Sequence, residues 1–213
     1  MGKLFNLDAP LMQALSKIGQ MMIHTVLWLL CCLPVVTIGA ATATLYRMMF
    51  NLKEHRSCTV KDFFRAFREN FRKATVLWLI FAACAVVLAG LFYLVVLVES
   101  AILRMAALAV FSVLFFAVFI TGLYIFPLTA YFENTVPATI RNALGMGMGN
   151  LRQTVIASAV TLLPLVAMLA SMKLFVQMMF LWLVLGPGAI AYGVVCALTP
   201  VFRRYIPGEG DAA

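Results

Sequence analysis

Long apolar segments dominate this sequence and restrict what it can fold into. With 64% hydrophobic residues and a mean hydropathy of +1.03, a water-soluble domain of 213 residues could not bury the apolar excess. About 20 apolar residues form a helix that crosses a hydrocarbon core of about 30 Å. Four segments reach that length: Thr75 to Val98, Met105 to Phe126, Gln153 to Ser171 and Met178 to Phe202. We therefore expect an all-α membrane helix bundle in which residues 1–213 form one domain.

A further apolar stretch near the N-terminus predicts a fifth crossing that contains a break. Met21 to Val36 is followed by Ala40 to Leu52, which at about 20 Å is too short to cross the core alone. Pro34 removes a backbone donor and Gly39 relaxes the chain, so a break is expected between them. We interpret Ile18 to Leu52 as one crossing made of two pieces. A re-entrant hairpin is the alternative, and it would leave four crossings.

Small residues and one proline predict where helices break or approach each other closely. Pro187, between Gly186 and Gly188, is expected to interrupt the last span, and such interruptions can expose backbone groups to a ligand. Gly145 and Gly149 have the spacing of a small-xxx-small pair, which permits close helix contact. Further candidates for close contact are Gly39, Ala40, Ala41 and Ala43.

The strongly charged run between these spans, Thr59 to Lys73, predicts an amphipathic helix at the membrane surface. Asp62 comes three residues after Thr59, an arrangement that resembles a capping box. One helix face carries Phe63, Phe64, Phe67 and Phe71, and a neighbouring arc carries Arg65, Arg68 and Arg72. We expect the rings to enter the acyl boundary and the guanidinium groups to meet lipid phosphates. The aromatic face could instead pack under the bundle, which would leave the arginines for lipid or a partner.

The distribution of positive charge predicts which side of the bundle is cytoplasmic. The formal net charge is +8, and about half of the Lys and Arg residues lie between Arg47 and Lys73. Anionic lipid is the expected partner of this charge, rather than nucleic acid. By the positive-inside rule the basic loops and the C-terminus are cytoplasmic, and five crossings would then place the N-terminus outside. Residues 1–20 are expected to lie at the interface, and 206–213 to form a flexible tail.

The sequence offers little for catalysis within its spans, where an enzyme or ion-coupled transporter needs ionisable or metal-binding groups. His24 is the only histidine near the membrane interior, and it has no histidine or carboxylate at helical spacing to complete a metal site. The five cysteines lack metal-site spacing and are expected to be reduced, packed thiols. We therefore expect no enzyme activity, no catalytic residue, no metal and no cofactor.

Four stretches of the sequence are similar to a known family of small bacterial membrane proteins, the YesL family. They are LPVVTIGAATATLYRM (Leu33 to Met48), DFFRAFRENFRKAT (Asp62 to Thr75), FPLTAYFENTVPATIRNAL (Phe126 to Leu144) and GPGAIAYGVVCALTPVFRRY (Gly186 to Tyr205). The resemblance covers nearly the whole chain, and the first two stretches in combination are its most specific part. The chain departs from it at Tyr131, where arginine is expected in many relatives.

The resemblance implies a bacterial plasma-membrane protein that is often encoded with carbohydrate ABC importers and glycan-degrading enzymes. The expected function is that of a non-catalytic accessory subunit that assembles with the importer permease or regulates it. One alternative is a small transporter or channel for a sugar or other neutral solute. A second is a membrane enzyme, which would require His24 to meet a carboxylate or metal in space.

Overall fold

The computed structural model describes residues 10–56 and 58–205 of the chain. A short 3-10 helix, Val35–Thr37, precedes α2, and the described ranges contain no strand. The expected tail 206–213 and the first nine residues of the expected interfacial segment lie outside the described residues. The helices in chain order are α1 (Pro10–Cys31), α2 (Ile38–Lys53), α3 (Val60–Val96), α4 (Ala101–Tyr131), α5 (Val136–Gly149), α6 (Leu151–Ala170), α7 (Met172–Gln177) and α8 (Met179–Arg203).

Five helices are long and apolar enough to cross a membrane, as the sequence predicted. They are α1, from Ala14 onward, α3, α4, α6 and α8. In their most apolar windows only 6% to 33% of the residues are buried inside the protein. Apolar surface on this scale needs lipid or another membrane protein around it. The all-α membrane bundle is therefore confirmed.

The two pieces of the predicted first crossing lie side by side rather than in line. The helical break is present, but it falls at Cys32 to Pro34, before the 3-10 helix. The Thr37 hydroxyl donates to the Cys31 carbonyl at 2.5 Å, and the Trp28 indole donates to the Thr42 hydroxyl at 3.2 Å. Residues 14 apart can share such a bond only if the chain reverses, since 14 helical residues span about 21 Å. Helices α1 and α2 therefore form an antiparallel hairpin, which resembles the alternative arrangement more than a single kinked crossing.

Helix α2 is the core of the bundle, because it packs against α1, α3, α4 and α8. Ten of its 16 residues are buried, in contrast to the lipid-facing spans. Gly39 is the second residue of this helix, directly after the predicted break, and a Cβ atom there would overlap the Trp78 side chain and the Ala74 carbonyl of α3. Ala40, Ala41 and Ala43 are fully buried beside it. Gly39 thus makes a close contact of the kind that the sequence predicted, and Ala40 and Ala43 pack in one cluster with Ala74 and Leu77 of α3.

The predicted surface helix Thr59 to Lys73 is the first part of the longer helix α3. Its start is confirmed, with Thr59 as the N-cap, but the helix continues without a break for 37 residues to Val96. The predicted boundary between the surface helix and the span, Lys73 to Thr75, contains neither Gly nor Pro, so the sequence has no signal that would end the helix there. At 1.5 Å per residue α3 is about 55 Å long, well beyond a hydrocarbon core of about 30 Å.

The expected interruption at Pro187 is absent, and α8 runs continuously through it. The flanking Gly186 and Gly188 are both buried, and a Cβ atom at Gly186 would lie against the Trp182 ring of the same helix. A Cβ atom at Gly188 would overlap the Thr25 hydroxyl of α1, so this glycine lets α1 approach α8. Proline inside a membrane helix is tolerated where neighbouring helices compensate for the lost backbone bond.

The predicted glycine pair on α5, Gly145 and Gly149, makes no close contact with the described residues of this chain, whereas the glycine between its members does. Nothing lies within 4 Å of a Cβ atom built at Gly145 or Gly149, and both residues are exposed. A Cβ atom at Gly147 would overlap Ile120 of α4, and the Tyr124 ring lies 3.4 Å away.

Gly39 and Gly145 provide a matched test of this packing. We expect Gly39→Ala to destabilise the folded protein by about 1–3 kcal/mol, because the added methyl group overpacks the contact between α2 and α3. Gly145→Ala adds the same methyl group in open space and should be neutral or stabilising by up to about 1 kcal/mol. Thermal unfolding of both variants in the same detergent measures the difference. Equal melting temperatures would contradict the close approach of α2 to α3.

Candidate interaction face at the basic end

The ends of four helices meet at the side of the bundle that carries most of the positive charge, here called the basic end. Aromatic rings join three of them, with centroids 4.8 Å apart for Phe50 and Tyr131 and 5.3 Å apart for Tyr131 and Phe202. Helix α3 is joined to α2 by an ion pair between Arg47 and Glu69 at 3.0 Å. The basic end is therefore a defined surface built from residues far apart in sequence.

Helix α3 begins at this surface with the capping box that the sequence predicted. The Thr59 hydroxyl accepts from the Asp62 backbone N–H at 3.3 Å, and the Thr59 backbone N–H donates to the Asp62 carboxylate at 3.0 Å. Both bonds satisfy backbone or side-chain groups that a helix start otherwise leaves to water. The register of the residues that follow is thereby fixed.

The four phenylalanines after this cap do not share one environment. Phe63 is fully buried, and its ring centroid lies 6.1 Å from that of His24 on α1. Phe67 is half-buried and packs against the small cluster between α2, α3 and α4. Phe64 and Phe71 remain 50% and 36% exposed. The aromatic face is therefore divided between packing in the bundle and exposure at its surface, so only part of it can contact lipid.

The three arginines of the same segment all face outward. Arg65, Arg68 and Arg72 are exposed, while the opposite side of the helix is buried through Phe63 and Ala66. Arg65 lies 3.9 Å from the Asp62 carboxylate, an exposed pair that contributes about 0–1 kcal/mol. Arg68 and Arg72 form no ion pair with any residue that the structure describes. Together these residues, here called the arginine face, can bind carboxylates or phosphates in bidentate fashion.

His24, the one candidate for chemistry in the spans, is packed inside the protein. It is 2% exposed, and its Nδ1 lies 2.6 Å from the Gln20 carbonyl oxygen, to which it donates. Its Nε2 has no hydrogen-bond partner among the described residues, although the Asp62 carboxylate is near enough to interact electrostatically. No group of three His, Cys, Asp or Glu side chains suited to a metal occurs in ranges 10–56 and 58–205. Among the described residues, the Gln20 carbonyl is the only hydrogen-bond partner of the His24 ring.

The cysteines are free thiols, as the sequence predicted, but Cys84 and Cys196 are exposed rather than packed. Cys58 lies in the connection between α2 and α3, and burial raises the pKa of its thiol. A higher pKa lowers the thiolate fraction at neutral pH, and the thiolate is the reactive form. This environment is that of a packed cysteine.

A polar cleft opens at the basic end between α2, α3 and the turn that follows α4. Its volume is about 740 Å³. Sequence reasoning missed it, because its residues come from three separate stretches and form no motif. The lining residues are Arg47, Phe50, Asn51, Glu54, Arg56, Glu69, Asn70, Lys73, Thr129, Ala130, Tyr131, Phe132, Glu133, Asn134 and Thr135.

Comparisons with known proteins link part of the chain to an uncharacterised family. Residues 21–90 match the family model described as "Protein of unknown function, DUF624". The match covers most of α1, all of α2 and most of α3, including the arginine face. No curated protein and no solved structure matches the chain.

The divided aromatic face can be tested with two neighbouring alanine substitutions. Phe63→Ala should destabilise the fold by about 3–5 kcal/mol, because it empties a fully buried site. Phe64→Ala removes the same ring from an exposed position and should change stability by less than about 1 kcal/mol. Thermal unfolding in detergent monitors both variants. A larger loss for Phe64→Ala than for Phe63→Ala would contradict the burial described above.

Proposed function

We propose that this protein is a non-catalytic accessory subunit of a bacterial carbohydrate ABC importer, and that it binds the permease through the arginine face of α3. The observation that carries the proposal is the division of this helix into a packed side and a charged side. One side is locked into the bundle by Phe63 and Ala66, and the other presents Arg65, Arg68 and Arg72 outward. A helix held in this way can present its charges to a protein without moving.

The length of α3 favours a protein partner over lipid alone. The apolar part from Ala74 to Val96 is about 34 Å long, enough to fill the hydrocarbon core. The polar layer on each side of that core is only about 5–8 Å thick. Arg72 falls within this layer, but Arg65 lies about 10 Å farther along the helix axis. The outer arginines would therefore extend past the lipid phosphates, where an acidic protein surface can reach them.

The resemblance to the YesL family supports the choice of partner. That family is often encoded with carbohydrate ABC importers, and the match to DUF624 over residues 21–90 includes the arginine face. Both the resemblance and the match thus include the helix to which the proposal assigns the contact. The importer permease is a membrane protein of the same compartment, so the exposed apolar spans can also pack against it.

We infer that the basic end faces the cytoplasm, because its positive charge follows the positive-inside rule. Helix α1 runs antiparallel to α2, which in turn runs antiparallel to α3. This arrangement favours an N-terminus on the same side as the start of α3, unlike the expectation from five simple crossings. We expect a reporter that functions only in the cytoplasm to be active when it is fused to either terminus. Activity of an externally functioning reporter at the N-terminus would contradict this topology.

Replacing Arg65, Arg68 and Arg72 together with Gln tests the docking proposal. We expect normal insertion and stability, because these side chains are exposed, but a loss of at least about tenfold in permease recovered by mild-detergent purification. Tenfold corresponds to about 1.4 kcal/mol, less than a set of charge-assisted contacts contributes.

The matched control replaces Arg141, Arg152 and Arg204 with Gln, which removes the same charge from exposed positions elsewhere on the chain. This variant should recover the permease as the unmodified protein does. Equal losses of recovered permease in both variants would mean that net charge, rather than the arginine face, causes the effect. Purification of the unmodified protein at native expression without any permease or solute-binding protein would contradict the proposal itself.

A further inference from the structure

The polar cleft at the basic end is open on one side and has the size of a small-molecule site. Its volume of about 740 Å³ lies within the range of about 300–1,000 Å³ that ligand pockets occupy. Its walls come from α2, α3 and the segment after α4, which the packing of α2 holds in place. None of the residues of the arginine face lines it, so it is separate from the proposed docking surface.

The charged groups of the cleft already neutralise each other. Arg47 pairs with Glu69 at 3.0 Å, and Arg56 pairs with Glu54 at 3.3 Å. A third cation, Lys73, donates to the Phe132 carbonyl at 3.5 Å and interacts electrostatically with Glu133. A charged ligand would have to separate one of these pairs and meet a carboxylate or cation of its own sign. The cleft therefore favours a ligand without net charge.

The uncharged groups of the cleft can both donate and accept hydrogen bonds. Three amide side chains line it, those of Asn51, Asn70 and Asn134, together with the hydroxyl of Thr135. An amide carries two N–H donors and a carbonyl acceptor, and a hydroxyl carries one donor and two acceptor positions. The Asn70 amide already donates one N–H to the Ala66 carbonyl at 3.2 Å, which leaves it one donor and its acceptor for a ligand. The ligand group that matches such a mixed set is another hydroxyl, because it too donates and accepts. Several hydroxyl groups on one ligand could be bound at once.

Aromatic rings give the same cleft an apolar wall. Tyr131 and Phe132 are half-buried at its lining, and their ring centroids lie 5.0 Å apart. Binding sites for small polar molecules commonly combine such rings with a few placed polar groups. The rings can cover the C–H face of a ring-shaped ligand while the amides bind its hydroxyl groups.

We propose that this cleft binds an uncharged, polyhydroxylated small molecule of the size of a mono- or disaccharide. The proposal does not depend on the docking function, because it uses different residues. It assigns a ligand site to this chain itself rather than to a partner. It further predicts that the ion pair between Arg47 and Glu69 selects against anionic forms of the same ligand.

The test is ligand-observed NMR on the purified full chain in lipid nanodiscs, with saturation transfer to glucose, maltose, trehalose and glucose 6-phosphate measured separately. We expect transfer to at least one neutral sugar, with a Kd near about 1 mM, and at least fivefold less transfer to the phosphorylated sugar. The double variant Asn70→Leu, Asn134→Leu should lose most of the signal. Gln153→Leu, which alters an amide outside the cleft, should keep it.

A second variant distinguishes a loss of binding from a loss of folding. Glu69→Gln removes the carboxylate that neutralises Arg47 and should shift the preference toward glucose 6-phosphate by about fivefold or more, a gain that an unfolded protein cannot show. The variant in which Arg65, Arg68 and Arg72 are replaced with Gln should bind the neutral sugars normally. Failure to bind the permease and failure to bind a sugar are therefore distinguishable. Absence of transfer to every neutral sugar, or equal transfer to glucose 6-phosphate in the unmodified protein, would overturn the proposal.

Discussion

The close approach of α2 to α3 is the interaction on which the rest of this structure depends. It is possible because Gly39 has no side chain where Trp78 and Ala74 approach, and because the small Ala40 and Ala43 pack in the same cluster as Ala74. Since lipid tails are as apolar as leucine, membrane helices associate through such close packing rather than through the hydrophobic effect. With α2 enclosed by protein, the neighbouring helices can leave most of their apolar surface to the membrane. The basic end is then assembled around the C-terminus of the same helix.

Much of this architecture could be predicted from the sequence, because it depends on local signals. Segment length and hydropathy identified the spans, and the Thr59 to Asp62 spacing identified the start of α3. The proline and glycine signals were less reliable. Pro187 is typical of a break, yet it lies inside α8, whereas Gly39 follows the predicted break as the second residue of α2. Whether such a residue breaks a helix depends on its tertiary partners, and periodicity alone does not identify them.

The candidate site was predictable only in part, for the same physical reason. Arg65, Arg68 and Arg72 are three and four residues apart, a spacing that places side chains on one helix face, so their common face could be predicted from the sequence. The division of the phenylalanines could not, because Phe63 is buried by α1, a contact between distant parts of the chain. The cleft left no sequence signal, since its ion pairs join residues such as Arg47 and Glu69 on different helices. Charges that look like a basic surface in sequence are partly neutralised in space.

The combination of a rigid arginine face and a self-neutralised cleft at one end of the bundle fits a subunit that contacts a partner and a solute with different residues. The central claim of the proposed function is that α3 contacts another membrane protein. Photocrosslinking in native membranes, from a probe placed at Arg68 and from a control probe at the lipid-exposed Leu79, tests this most directly. The account predicts that the probe at Arg68 forms an adduct with an importer permease, identified by mass spectrometry. Adducts of the Arg68 probe with lipid alone would contradict it.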